Sequence, residues 1–187
     1  MTAAKPDAHG IGHADASGRL DSAARHALYR DLVDRSADGV LRYVYGMVGD
    51  PAVAEDLTQD VFLRAWEHLD ELRDVSAARS WLFAIAANAA RRQLKRASRF
   101  AWLPLDPRRQ DAGNPNPDGV NEGAEIERAL GKVSDDDRAV VLLVGLEGFS
   151  LSEAAGVLGT SPAAAKKRWQ RACARLRTLI EAERTEC

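Results

Sequence analysis

The stretch from Glu147 to Leu179 constrains the fold most, because its residues mark the ends of two helices joined by a tight turn. Ser150 followed by Glu153 is the pattern of a capping box, in which the two side chains satisfy backbone N–H groups at a helix start. Gly159 supplies the left-handed residue that ends this helix, and Pro162 suits the first position of the next. The sequence therefore predicts a helix–turn–helix.

The second of these helices divides into an apolar side and a basic side. From Ala163 to Arg177 there are six Lys or Arg residues and no Asp or Glu, so its charge has one sign. A helix–turn–helix with a basic second helix is a geometry that enters a DNA major groove. The alternative is a helical hairpin that binds no DNA and whose charged face contacts only solvent. The apolar side carries Ala165, Trp169, Ala172, Cys173, Leu176, Leu179 and Ile180.

Composition excludes several classes of protein. The chain has 187 residues, 45% of them hydrophobic, which suits one domain or two small ones. No apolar run approaches the ~20 residues of a membrane-spanning helix, and no secretory signal begins the chain, so we expect no membrane insertion and a cytoplasmic location. Cys173 and Cys187 form no C-x-x-C motif, and His9 and His13 lie in a Gly- and Ala-rich tail. We therefore expect no disulfide, metal site or cofactor.

The charge is unevenly distributed, although the net charge is only −2. Residues 50–74 contain eight acidic side chains and two arginines, whereas residues 91–109 contain seven basic side chains and one aspartate. The basic helix near the C-terminus adds a second positive segment. This separation indicates one face for a basic partner and two for phosphates.

The remaining pattern predicts an all-α protein of two small helical domains, because no segment alternates as a strand does. Three helices are expected in the first domain, from about Ser22 to Val48, beyond Pro51, and from about 77 to 98 with Ser76 as a cap. The Pro- and Gly-rich segment between the domains is typical of a flexible linker. The expected boundaries are a disordered tail at 1–21, a domain at 22–99, a linker at 100–121, a domain at 122–183 and a tail at 184–187.

The third helix carries the most informative surface of the first domain. Its expected buried stripe is Trp81, Leu82, Ile85, Ala86, Ala89 and Leu94, and a second stripe is Asn88, Arg91, Arg92, Lys95 and Arg99. A basic stripe with an amide and a nearby tryptophan suits opened nucleic acid, because cations follow the backbone while amide and aromatic groups meet bases. The helix before it has an acidic side. This side indicates either a surface for a basic partner or a face that contacts only solvent.

Together these segments resemble a known family. AEDLTQDVFLRAWEHL (54–69) and WLFAIAANAARRQLKR (81–96) are similar to the second conserved region of bacterial sigma factors. LEGFSLSEAAGVLGTSPAAAKKRWQRACARLR (146–177) is similar to their fourth region. The short linker without a third domain indicates the extracytoplasmic-function branch (group 4) of the sigma-70 family. A stand-alone dimeric helix–turn–helix regulator is the alternative, but it gives the acidic helix and the Asn88 stripe no purpose.

The resemblance implies partners and site residues. Core RNA polymerase would bind through its β′ clamp helices to Asp56, Gln59, Asp60, Phe62 and Arg64, and through its β flap to the apolar face of the fourth region. The promoter −10 element would be recognised and opened by Trp81, Asn88, Arg91, Arg92, Lys95 and Arg96, with loop 71–76 capturing a flipped base. The −35 element would be read by Ser161, Lys166, Lys167, Gln170 and Arg171.

The resemblance also implies a regulatory partner and the absence of catalytic activity in the chain itself. An anti-sigma factor would clamp both domains, and the chain itself would have no catalytic residues, because the chemistry belongs to the core enzyme. The sequence departs from many relatives at Arg92, where an Asp is common, and at Ala78, where an aromatic is common. The −10 and −35 sequences that this chain prefers are therefore not implied by the resemblance.

Overall fold

The computed structural model describes residues 22–99 and 122–186, and these residues form helices and turns without any strand. The disordered tail expected at 1–21, the linker expected at 100–121 and Cys187 lie outside the described residues. Among the described residues, no helix is long and apolar enough to cross a membrane. The helices of the described part are α1 (Ser22–Val48), α2 (Pro51–Glu67), α3 (Ala78–Arg99), α4 (Glu122–Gly131), α5 (Asp135–Val141), α6 (Leu151–Leu158) and α7 (Pro162–Glu186).

Local capping explains where several helices begin and end. The Asp50 side chain accepts the Val53 N–H at 3.0 Å at the start of α2. Ser150 and Glu153 form the expected capping box of α6, with both hydrogen bonds present. Gly159 ends α6 in the left-handed region at φ 62°, which a residue without Cβ adopts without steric cost. These features confirm the predicted helix–turn–helix.

The segment before α3 differs from the sequence prediction. Ser76 was expected to cap α3, but the Asp74 side chain accepts both the Ser76 N–H at 2.8 Å and the Ser76 hydroxyl at 2.7 Å. The expected loop 71–76 includes part of two short 3-10 turns, Leu69–Glu71 and Val75–Ala77. Asp74 thus caps the 3-10 turn Val75–Ala77 that precedes α3, and the Ser76 hydroxyl donates to this carboxylate.

The first three helices form the N-terminal half, residues 22–99, and the last four form the C-terminal half, residues 122–186. In the N-terminal half α1, α2 and α3 pack on one another, and in the C-terminal half α7 packs on α4, α5 and α6. The two halves also pack together and share one core. Its largest fully buried side chains are Tyr43, Phe83, Met47, Leu69, Leu82, Leu143, Val40, Val44, Val61 and Val140.

Helix α3 is buried more widely than its sequence pattern predicts. Leu82, Ala86 and Ala89 are buried as expected, but Trp81, Ile85 and Leu94 are only half-buried. Four further residues of α3 are buried although the predicted stripe omits them: Ala78, Phe83, Ala87 and Ala90. The reason is that α3 packs on α1 and α2 and also on α6 of the C-terminal half.

A π-helical turn between α5 and α6 directs side chains toward the N-terminal half. The predicted helix through Leu146 loosens into this turn at Leu142–Leu146, and Gly148 then reverses the chain at φ 72°. Phe149 follows and stacks edge-to-face on Phe83 of α3, with ring centroids 5.0 Å apart. The turn thereby joins the two halves.

Candidate nucleic-acid interface

Helix α3 presents an exposed basic stripe. Asn88, Arg92, Lys95 and Arg96 are all exposed. Residues three and four apart lie on one side of a helix, so Asn88, Arg92 and Lys95 form a continuous row. The Arg92 Nε donates to the backbone carbonyl of Asn88 at 3.2 Å, so this contact does not engage the Asn88 side-chain amide. This row offers cations for phosphates and an amide for a base edge.

Two predicted members of the −10 surface, Arg91 and Trp81, are half-buried. Arg91 is half-buried between the two halves, where its Nη2 lies 3.6 Å from Asp136 and its Nη1 donates to the Leu158 carbonyl at 3.4 Å. Trp81 is half-buried and packs against the core. The structure thus groups Asn88, Arg92, Lys95 and Arg96 and separates Arg91 from them.

Helix α7 presents the second basic face. Lys166, Lys167 and Gln170 are exposed on it. Ser161 lies at its start, where its hydroxyl accepts the Ala164 N–H at 3.2 Å and so acts as a helix cap. Buried Ala165 and Ala172 anchor the opposite side of the helix. The first turns of α7 can therefore enter a groove with Lys166, Lys167 and Gln170 foremost.

Arg171 is held by a partner that the sequence did not indicate. Its Nε and Nη2 donate to the two carboxylate oxygens of Asp137 at 2.8 and 2.5 Å. The Arg171 hydrogen bond is the main cause that lowers the pKa of Asp137, against the opposing effect of burial. This bidentate pair fixes the orientation of the Arg171 guanidinium.

The one-signed charge of α7 is thus partly neutralised from α5. Arg168 lies 2.9 Å from Asp136, next to the Arg171 pair. The sequence of α7, taken by itself, indicates only positive charge. The acidic first turn of α5 pairs with it across the fold, a contact that no local spacing indicates.

Helix α2 presents the acidic face. Asp56, Gln59 and Asp60 are exposed on one side of the helix. Leu63 lies on the same side, seven residues after Asp56, and is 60% exposed, although the sequence pattern did not single it out. Phe62 and Arg64 are half-buried at the flanks. An exposed leucine surrounded by carboxylates suits a basic partner that also has an apolar side chain.

The described residues contain no group of three or more His, Cys, Asp or Glu side chains arranged to hold a metal ion. Cys173 is half-buried on α7, where burial raises the pKa of its thiol. A raised pKa keeps the thiol protonated and unreactive at neutral pH.

Comparison with known families matches both halves. The family Sigma-70 region 2 matches residues 32–100, and the family Sigma-70, region 4 matches residues 123–176. The two matches stand in the order expected from the motifs, with α2 and α3 inside the first and the helix–turn–helix inside the second.

Curated relatives cover most of the chain. The ECF RNA polymerase sigma factor SigL of Mycobacterium tuberculosis is 34% identical over 167 residues, which are 86% of this chain and 93% of that protein. The ECF RNA polymerase sigma factor SigE of Mycolicibacterium smegmatis is 31% identical over 178 residues, which are 92% of this chain and 68% of that protein.

Solved structures agree in fold. The sigma factor RpoE of Bartonella quintana, in complex with the anti-sigma factor NepR, has a TM-score of 0.68 and 25% identity over 82% of this chain and 96% of that one. CnrH, in complex with the cytosolic domain of CnrY, has a TM-score of 0.63 and 30% identity over 82% and 88% of the two chains. The chain therefore belongs to the extracytoplasmic-function branch of the sigma-70 family and is a sigma factor of transcription initiation.

Proposed function

We propose that the protein joins core RNA polymerase through the acidic face of α2 and brings it to promoters through α3 and α7. The observation that carries this proposal is the presence of one acidic and two basic exposed faces on separate helices of one chain. A regulator that only binds duplex DNA needs one basic face, whereas a polymerase subunit that locates and opens a promoter needs all three. The chain supplies positioning, and the chemistry of RNA synthesis stays with the core enzyme in the cytoplasm.

The α3 stripe suits the opened −10 element. Arg92, Lys95 and Arg96 are placed to follow a phosphate backbone, while Asn88 can exchange hydrogen bonds with a base edge. Extruding a base costs a few kcal/mol, so binding the opened strand must offset that cost. We assign Trp81, half-buried beside this stripe, to the stacking side of the same site.

The α7 face suits the −35 element as a duplex. Lys to guanine and Gln to adenine are favourable pairs in the major groove, which fits Lys166, Lys167 and Gln170. Arg171 extends this surface with its position fixed by Asp137. Ser161 lies at the helix start, where a hydroxyl and exposed N–H groups can meet a phosphate.

An anti-sigma factor is the regulatory partner that we propose. RpoE and CnrH, two similar structures, are each in complex with another protein, named as an anti-sigma factor for RpoE. The domain boundaries that we propose are those expected from the sequence, with 22–99 and 122–183 as the two units such a partner would hold together.

Association with core polymerase tests the proposed role of α2. Asp56→Arg reverses an exposed charge at the centre of the acidic face and should weaken association at least tenfold, because like charges then meet across the interface. Asp34→Arg makes the same change at an exposed position of α1 and should leave association unchanged. Size-exclusion co-elution with purified core measures both, and equal binding by wild type and Asp56→Arg contradicts this assignment.

A further inference from the structure

We propose that a cavity at the junction of α1, α3 and the π-helical turn binds a small organic phosphate, such as a mononucleotide or a sugar phosphate. The cavity has a volume of about 310 Å³, and its wall includes Arg35, Asp38 and Arg42 of α1, Arg79 of α3 and Leu146 of the turn. This volume lies at the lower end of the ~300–1,000 Å³ that is typical of small-molecule sites. None of these residues belongs to the faces assigned above to polymerase and promoter.

The acidic group of the cavity wall is already paired with two of its arginines. The Glu147 carboxylate is only 2% exposed and accepts from Arg42 Nε at 3.2 Å and from Arg42 Nη2 at 3.4 Å. Arg79 Nη2 lies 3.6 Å from the same carboxylate. Both arginine side chains remain about half exposed, and each guanidinium carries five N–H donors. These contacts therefore leave donors of both arginines for a further acceptor.

The two arginines are also held in place before any ligand binds. Arg79 donates to the Glu147 backbone carbonyl at 2.7 Å, and its guanidinium lies 4.1 Å from the centre of the Phe149 ring and 5.1 Å from that of Phe83. Arg42 is fixed by its two hydrogen bonds to the Glu147 carboxylate. A guanidinium that is ordered in the free protein loses less conformational entropy when an anion binds. This order distinguishes the cavity from a patch of freely moving surface arginines.

Two small residues of α1 shape the same wall. A Cβ at Gly39 would lie 2.5 Å from Glu147 Oε2, so glycine at this position lets the carboxylate lie directly against the helix. Ser36, three residues earlier, is only 3% exposed and also lines the cavity. A serine hydroxyl can donate a hydrogen bond to an anion oxygen. The wall thus offers a neutral donor beside the arginines.

The charge of the cavity wall favours a phosphate group. Arginine recognises phosphate through two parallel N–H donors, which a single guanidinium edge supplies. Arg35 adds a third guanidinium, and its partner Asp31, at 2.7 Å, is itself more than half exposed. An exposed ion pair of this kind contributes little to stability, so Arg35 can turn from Asp31 to a ligand. A doubly charged phosphate matches three guanidinium groups better than a neutral ligand does.

The remaining wall favours a phosphate that carries an organic group. Asp38 is exposed on the same side of α1, where its carboxylate repels a bare anion and accepts hydrogen bonds from hydroxyl or amino groups. Leu146, 49% exposed, adds an apolar surface. Nucleotides and sugar phosphates share this combination of a phosphate with hydroxyl or amino groups. Inorganic phosphate would leave Asp38 and Leu146 without a role.

Titration of the full chain tests the ligand class. The probes are adenosine monophosphate, glucose-6-phosphate, inorganic phosphate and adenosine, at about 0.15 M salt, where surface charges interact over only ~8 Å. We expect calorimetry to show saturable binding of one or both organic phosphates, roughly tenfold or more tighter than that of phosphate or adenosine. Amide NMR should show shifts at Ser36, Gly39 and Leu146. The assay contains neither polymerase nor promoter, so its result is independent of the proposed function.

Three substitutions in α1 test the location. Arg35→Ala should weaken binding roughly fivefold or more, because it removes a guanidinium that is not needed to hold Glu147. Ser36→Ala leaves the charge unchanged and should weaken binding roughly threefold. Arg30→Ala removes the same charge as Arg35→Ala from an exposed position on another side of α1 and should bind as wild type does. Circular dichroism checks that all three variants keep their helix content.

Several results would overturn the proposal. One is the absence of saturable binding of both organic phosphates, and another is equal affinity for inorganic phosphate, which would indicate an unspecific anion contact. Equal losses in Arg35→Ala and Arg30→Ala would indicate general attraction by the charge of α1. Tighter binding of a single-stranded oligonucleotide, with shifts at the same amides, would assign the cavity to nucleic acid.

Discussion

Asp137 illustrates how one residue can fix a surface that it does not itself form. Its carboxylate is almost buried and binds Arg171 through both oxygens, so the guanidinium keeps one orientation at the edge of the basic face. Removing Arg171 would leave a buried carboxylate without its partner, and loss of function could then arise from instability. For that reason Lys166, which is exposed, is the better probe of DNA contact.

The pair with Arg171 predicts a pH-dependent contribution of Asp137 to stability. Because the folded state lowers the pKa of this carboxyl, its contribution is present above the usual value of ~3.9 and is lost as the pH falls through the folded pKa. Asp137→Asn should therefore lower the midpoint of thermal unfolding at pH 7, and the difference from wild type should shrink below pH 4. Asp34→Asn is the control at an exposed site, and a pH-independent difference for Asp137→Asn would contradict the pairing.

Asn88 carries a prediction about strand opening. Asn88→Ala should impair formation of the open complex more than capture of duplex promoter, because we assign the Asn88 amide to a base of the opened −10 strand. Permanganate reactivity of thymines near −10 measures opening, and filter binding measures capture. Wild-type reactivity in the variant would remove Asn88 from the opening step.

At the scale of elements, the ends of the helices could be predicted from local sequence signals. The tertiary contacts that each helix makes could not be predicted in this way. Ser150, Glu153 and Gly159 act within a few residues, so their pattern is readable from sequence and the structure confirms it. The burial of Phe83 depends on Phe149, which lies far along the chain. The pair of Arg42 with Glu147 spans 105 residues. Such contacts follow from tertiary packing, which no periodicity within one helix encodes.

The same distinction applies to the candidate site. The exposed faces of α2, α3 and α7 could be predicted because charge at helical spacing is a local pattern. Two features could not be predicted: Arg91 is engaged at the interface between the halves, and Leu63 is exposed. Both depend on which neighbouring elements cover each helix. The assignment of Arg91 to the −10 surface stays a prediction that requires the halves to separate.

We expect substitutions on the two sides of α7 to differ in their effect on promoter binding. Lys166→Ala should weaken binding of the polymerase holoenzyme to promoters that have a −35 element, and should reduce the salt slope by about 1 if the lysine meets a phosphate. Arg175→Ala removes the same charge from an exposed position nine residues later, on the opposite side of the helix from Lys166, and should change binding less. Equal effects of the two substitutions would indicate a general electrostatic contribution instead of a defined contact.

At the scale of the whole molecule, the three exposed faces lie on a chain whose halves are packed together. The acidic face of α2 and most of the α3 stripe are exposed in this arrangement, whereas Arg91 and Arg79 are engaged by the C-terminal half. The polymerase contact that we propose for α2 is therefore compatible with this packed arrangement, whereas Arg91 is engaged within the chain.

Run-off transcription with purified core polymerase and a promoter library tests the central claim most directly. We expect transcripts only when the factor is added, from templates that share one −10 and one −35 sequence at fixed spacing. Wild type should support this reaction, whereas Asp56→Arg should lose it at concentrations where Asp34→Arg retains it. Tight and specific binding of the protein to duplex promoter DNA without core, together with no factor-dependent transcript, would contradict the account.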